Sequence, residues 1–205
     1  MARDRHSIVK MSRREGYALH PKAHKALVRR PTPPGQQAAN ARPSKPSQYA
    51  IQLREKQKVK RLYGLLERQF AKLIKEANRR QGQTGEILLQ MLELRADNTV
   101  YRAGFAPSRR SARQLVTHGH FLLNGTRIDI PSLQLKPGDV LTVRTHSSNT
   151  EYFKHLDETS PAPNTTPGWI KVNRKKGELT IESLPARDDA EPDINEQLIV
   201  EYYSR

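Results

Sequence analysis

The sequence predicts an α+β chain: a mostly helical stretch, then a small module of short helices on an antiparallel sheet, preceded by an extended basic N-terminal arm. Three observations carry this reading. Residues 1–80 hold 21 Lys and Arg against five Asp and Glu, whereas residues 81–205 hold 15 against 16. From Ser47 to Glu93 the chain is helix-forming, and much of it repeats apolar residues at helical spacing. From Pro107 to Arg127 a short cationic helix leads into Phe121-Leu122-Leu123 and Asn124-Gly125, the strongest short hairpin signal.

Composition narrows the class of function. With 35% hydrophobic residues and a mean hydropathy of -0.80 over 205 residues, there is little material for a generous core, so part of the chain should need a partner to be ordered. A net charge of +15 and a pI near 10.3, concentrated in the first 80 residues, favour nucleic acid over a membrane or a merely solvated surface. No apolar run approaches the roughly 18 residues of a membrane span, and the N-terminus lacks the apolar core of a secretion signal, so the expected location is the cytosol. Having no cysteine, the chain has no disulfides, thiol catalysis or thiolate metal sites.

In chain order, residues 1–46 show no sustained apolar periodicity and many Arg, Lys and Pro, which predicts an arm that becomes ordered on RNA. His6, His20 and His24 lack metal-site spacing and are read as RNA contacts or solvated side chains; no metal is expected. Tyr49 to Gly64 is a basic helix with Arg54, Lys58 and Arg61 at i, i+4 and i+7, ended by Gly64. Leu66, Phe70, Leu73, Ile74 and Ala77 then mark a core-facing stripe. Thr84 is placed as the cap of a third helix, and Asp97 as the cap of a short helix running through Arg102 to Gly104.

Ser108 caps the next helix, whose Arg109, Arg110, Arg113 and Gln114 face away from Ala112, Leu115 and Val116. Guanidiniums near a helix N-terminus, where unpaired N–H groups already favour anions, describe a phosphate-binding surface. Gly119 suits the left-handed position after that helix, and Pro137-Gly138-Asp139 turns the chain into the alternating strand Val140 to Arg144. Glu151 to Leu156 is a further helical turn, and Pro161 to Gly168 a linker. Trp169 to Val172 and Glu178 to Ile181 form a second hairpin, with Trp169 as a core anchor. Near the C-terminus Ile194, Leu198, Ile199, Tyr202 and Tyr203 form an apolar set too large for a free acidic tail.

These residues carry a resemblance. Ser108-Arg109, Ala112-Arg113-Gln114-Leu115-Val116, Gly119 and Leu123-Asn124-Gly125 resemble the small RNA-binding module named after the fourth protein of the small ribosomal subunit. That module also occurs in pseudouridine synthases, a tyrosine-charging synthetase and stress proteins, so the rest of the chain decides. Arg13 to Gly16, Gln52 to Phe70 and Asn195 to Arg205 are similar to three signatures of bacterial-type small-subunit ribosomal protein four. Arg95-Ala96-Asp97 is superficially like the motif that carries the aspartate nucleophile of pseudouridine synthases, but the chain beyond the module is too short for their catalytic domain.

What the resemblance implies is a non-enzymatic primary binder of 16S rRNA that gathers the 5′ domain early in assembly, lies at the messenger entry channel and neighbours small-subunit proteins three and five. No cofactor or small-molecule substrate is expected. The alternatives are an RNA-modifying enzyme or a stress protein using the same module. In the family the tail returns to the helical domain, which makes the module an insertion: 1–46 arm, 47–93 helical domain, 94–178 inserted module, 179–205 returning segment. Some members hold zinc through cysteines in the arm; Val9 and Ser12 stand where the first two would be. The expected rRNA contacts are Arg13, Arg14, Tyr49, Arg54, Lys56, Lys58, Arg61, Arg68, Arg109, Arg110, Arg113, Gln114, His118, Asn124 and Arg127. Arg42 and Lys45 are expected at the messenger entry, and Asp193, Glu196, Glu201 and Tyr202 at the contact with protein five.

Overall fold

The computed structural model describes residues 4, 6–35, 45–163 and 165–204, and the chain divides into two compact units, Met1–Gly85 with Asp193–Arg205, and Glu86–Pro192.

The first unit is helical. Within the arm, expected to be extended, α1 (Ile8–Glu15) and α2 (Pro21–Arg29) are helices that pack on each other. They need no long apolar stripe, because few groups hold them. Met11, Leu19 and Ala23 are buried, and the Ser12 hydroxyl donates to the Ile8 carbonyl and accepts from the Leu19 amide. The Arg13 guanidinium donates to the carbonyls of Arg30, Thr32 and Pro33. A buried serine thus does packing work where the resemblance would put a metal ligand.

Helix α3 (Gln48–Leu62) starts with the Ser47 hydroxyl accepting from the Ala50 amide at 3.2 Å and stops before Gly64, whose φ of 66° is the left-handed conformation that suits glycine. Helix α4 (Glu67–Arg79) buries Phe70, Ile74 and Ala77, at i, i+4 and i+7. Within the first turn of α5 (Thr84–Glu93), which starts at Thr84 itself, the chain enters the second unit, and it returns as α11 (Glu196–Tyr203). Asn195 caps α11 by accepting from the Leu198 amide, Ile199 is wholly buried, and the helix packs along α3. The approach is close at Gly85, where an added Cβ would stand 2.6 Å from Glu196 Cγ.

The second unit pairs α6 (Ala96–Arg102) with α7 (Arg109–Thr117) and adds a five-stranded antiparallel sheet of order β2-β1-β3-β5-β4. The strands are β1 (Phe121–Leu123), β2 (Thr126–Ile128), β3 (Val140–Val143), β4 (Ile170–Asn173) and β5 (Glu178–Ile181). Three single-turn helices, α8 (Thr145–Ser148), α9 (Glu151–Lys154) and α10 (Leu156–Thr159), lie between β3 and β4. Register is set by apolar partners: Phe121 faces Val143, and Leu141 stands between Leu123 and Leu179. With Val100, Phe105, Ala112, Val116, Trp169 and Ile181 these residues form one core.

Two boundaries differ from expectation. The second hairpin joins the first through β3–β5, so the unit runs on to Pro192 rather than ending at Glu178. Most of α5 belongs to it as well, because the break falls between Gly85 and Glu86. Asp97 is also not the cap of α6: Arg95 holds that position without a side-chain capping bond, and Asp97 lies inside the first turn.

Candidate nucleic-acid interface

Helix α7 shows how the second unit divides its cations. Ser108 caps it, accepting from the Ser111 amide at 3.2 Å. From there Arg109 turns inward, donating to Asn98 Oδ1 at 2.8 Å and to Glu191 at 3.1 Å, with its guanidinium 4.7 Å from the centre of the Tyr101 ring. Arg113 reaches Asp97 Oδ2 at 3.1 Å. Asn98 and Asp97 are buried: Asp97 is 4% exposed, and Arg95, itself 2% exposed, donates to both its oxygens. Beside it Glu93 holds Arg102 through two bonds of 3.0 and 2.8 Å and accepts from Asn98. Two of the three predicted phosphate anchors thus fix α7 to α6, while Arg110, Gln114, Thr117 and His118 face solvent.

The adjoining hairpin extends that outer face. Asn124 and Gly125 take φ of 48° and 84°, the pair of positive values a two-residue turn of this kind requires. The Asn124 amide is not turned outward as a contact. It donates to Asp139 and accepts from the Val140 amide, which ties the hairpin to the turn before β3. Arg127, exposed on β2, lays its guanidinium over Gly119, where any side chain would collide with it.

Two residues that sequence reasoning missed complete this cluster. His120 stands 6.0 Å ring to ring from His118, shares a hydrogen bond of 3.0 Å with the Ser147 hydroxyl, and accepts the Arg144 amide on its carbonyl. Burial, then the charges of His118, Arg127 and Arg144, holds its pKa below the usual imidazole value. Arg144 itself is exposed. Its position at the end of the strand beside the hairpin was the available signal.

In the first unit the cationic stripe of α3 is also largely paired. Arg54 and Arg61 both donate to Glu15, whose side chain is buried; burial raises the Glu15 pKa, and the two guanidiniums oppose that rise. Lys58 pairs with Glu55 at 2.8 Å and donates to the Asp193 carbonyl at 2.6 Å. Lys56 is 3% exposed, which removes it from any surface: it donates to Glu67 at 2.8 Å and lies 4.7 Å from the Tyr202 ring centre. Burial opposes ionisation of Glu67, yet bonds from Lys56, Lys60 and Tyr203 prevail and hold its pKa at about 2. Arg14, Arg54 and Arg68 face solvent. Tyr49, 48% exposed, pairs with the Tyr202 ring at 5.7 Å. Lys45 is exposed, and Arg42 lies outside the described residues.

The residues expected at a protein partner are less available than predicted. Asp193 is exposed, and Glu196 is half-buried against Gly85. Glu201 accepts from Gln52 at 2.8 Å, and Tyr202 packs on Lys56 and Tyr49. Among the described residues no group of His, Asp and Glu is arranged to hold a metal ion, and no helix is long and apolar enough to cross a membrane. Asp97, enclosed between Arg95 and Arg113, is unsuited to act as a nucleophile.

A capped cationic helix braced on a hairpin, with an exposed face of arginine, glutamine and histidine, defines an RNA-binding module of the S4 type. Residues 94–141 match the S4 domain family model, and residues 3–93 match that of the ribosomal protein S4/S9 N-terminal domain. The chain is 47% identical over 206 residues to the small ribosomal subunit protein uS4 of Roseiflexus sp. (strain RS-1), and all of both chains is covered. The proteins of that name from Chloroflexus aurantiacus (strain ATCC 29366 / DSM 635 / J-10-fl) and Chlorobaculum tepidum are each 49% identical, again over all of both chains. The chain therefore belongs to the uS4 family of small-subunit ribosomal proteins, and it is a structural RNA-binding protein rather than an enzyme.

Proposed function

We propose that this protein is a primary binder of 16S rRNA that nucleates folding of the 5′ domain in the cytoplasm and stays in the mature small subunit beside proteins three and five. The observation that carries the reading is the outer face of the second unit, where Arg110, Gln114, His118, Arg127 and Arg144 are exposed while Arg109 and Arg113 hold the helix beneath them. Such a surface reads phosphates and shape, not base sequence. Filter binding to 16S rRNA over a salt series tests it. With six to eight phosphate contacts the slope of log affinity against log salt is about -4 to -7.

Lys45, exposed before α3, and Arg42 are assigned to the messenger entry path, where cations hold incoming RNA. Alanine at both positions slows ribosomes on messengers with structured coding regions; unchanged elongation through such hairpins counts against the assignment.

Contact with protein five, and through it decoding accuracy, is assigned to the edge of α11. Removing the whole tail is no clean test, because Ile194 and Ile199 are core residues. Asp193→Lys reverses the charge of an exposed side chain instead, and raised miscoding by subunits carrying it is the expected result.

A further inference from the structure

We propose that a cavity in the first unit receives one unpaired nucleotide of the RNA. It has a volume of about 720 Å³, within the range of roughly 300 to 1,000 Å³ of small-ligand sites. Its apolar wall is Met11, Leu65 and Leu66, of which Met11 and Leu65 are 7% and 1% exposed. Two cations of the wall are paired from within, Arg61 with Glu15 and Lys60 with Glu67. Lys10 and Arg14, one turn apart on the same face of α1, are exposed and also line it. The site therefore offers an apolar slot beside two exposed cations, which is the chemistry of a nucleobase beside its phosphates.

A methionine suits that occupant, since its thioether packs favourably on aromatic rings and adapts to shape. RNA supplies it readily, because proteins bind single-stranded loops and bulges through bases splayed out of the stack. An uncharged lipid or an apolar peptide would bring no counter-charge to Lys10 and Arg14. This assignment rests on the reading of the chain as an rRNA binder and adds a second, base-holding site to it.

The chain has no cysteine, so Leu66→Cys carries a unique thiol for a short photoactivated crosslinker. In complexes of the full chain with 16S rRNA, crosslinks concentrated on one unpaired nucleotide support the site. Chemical probing with unlabelled protein gives an independent readout. One unpaired base is protected by the wild type and becomes reactive with the Lys10→Ala/Arg14→Ala double variant, whose affinity falls about tenfold at physiological salt. Crosslinks scattered over many nucleotides or onto the chain itself, with protection unchanged in the double variant, overturn the site while salt-dependent rRNA binding survives. Micromolar binding of free adenosine monophosphate to the protein alone would make it a small-molecule site and overturn the proposal too. Loss of salt-dependent binding in the wild type would remove both readings.

Discussion

Asp97 and Glu67 show two ways in which a carboxylate steadies this protein. Asp97, 4% exposed, sits between the guanidiniums of Arg95 and Arg113, so removing it strands buried positive charge. Breaking a buried pair by deleting one partner costs about 3–5 kcal/mol. Asp97→Ala should lower stability by that amount in denaturant titration, whereas a loss under 1 kcal/mol would show that water reaches the pair. Glu67 is more exposed, and its effect is read through pH. Its pKa in the folded protein is about 2, below the ordinary glutamate value of 4.5, so the stability it contributes is complete above that ordinary value. That contribution falls away as pH drops from about 4.5 towards 2. The melting temperature of Glu67→Gln should therefore lie below that of the wild type at pH 7 and converge with it near pH 2; a gap that persists would rule out this charge as the cause.

Helix α7 and its hairpin were legible in the sequence because their signals are local. A serine cap, a two-sided nine-residue helix and an Asn-Gly turn lie within 18 residues of one another, and each adopts the geometry those residue types favour. Helices α1 and α2 were not legible. Their supports are polar and distant: the Arg13 side chain reaches carbonyls 17 to 20 residues away, and Glu15 is met by cations 39 and 46 residues away. For the same reason the site was read too generously, since a list of arginines does not say which are already paired. Lys56, placed at the surface by pattern, is held inside by Glu67, and Asn124, though exposed, is tied to Asp139. At this scale the two sides of α7 should separate cleanly. Arg110→Ala weakens RNA binding and lowers the salt slope by about 0.7 to 0.9, while Arg113→Ala lowers the melting temperature. If both variants alter only binding, the pairing of Arg113 with Asp97 carries no weight in the fold.

Across the whole molecule the net charge of +15 overstates what is available to RNA and understates what is built into the structure. Arg54, Arg61, Lys56, Lys58, Lys60, Arg95, Arg102, Arg109 and Arg113 all have carboxylate partners, and Arg14, Arg68, Arg110, Arg127 and Arg144 are exposed. Cations in the first set hold the fold together; those in the second are the ones proposed to meet phosphates. Filter binding of 16S rRNA by the wild type and by the Arg110→Ala/Arg127→Ala/Arg144→Ala triple variant, across a salt series, tests this division most directly. The expected slope is about -4 to -7 for the wild type and shallower by roughly 2 to 3 for the variant. A wild-type slope near -1, or a variant with an unchanged slope, would contradict it.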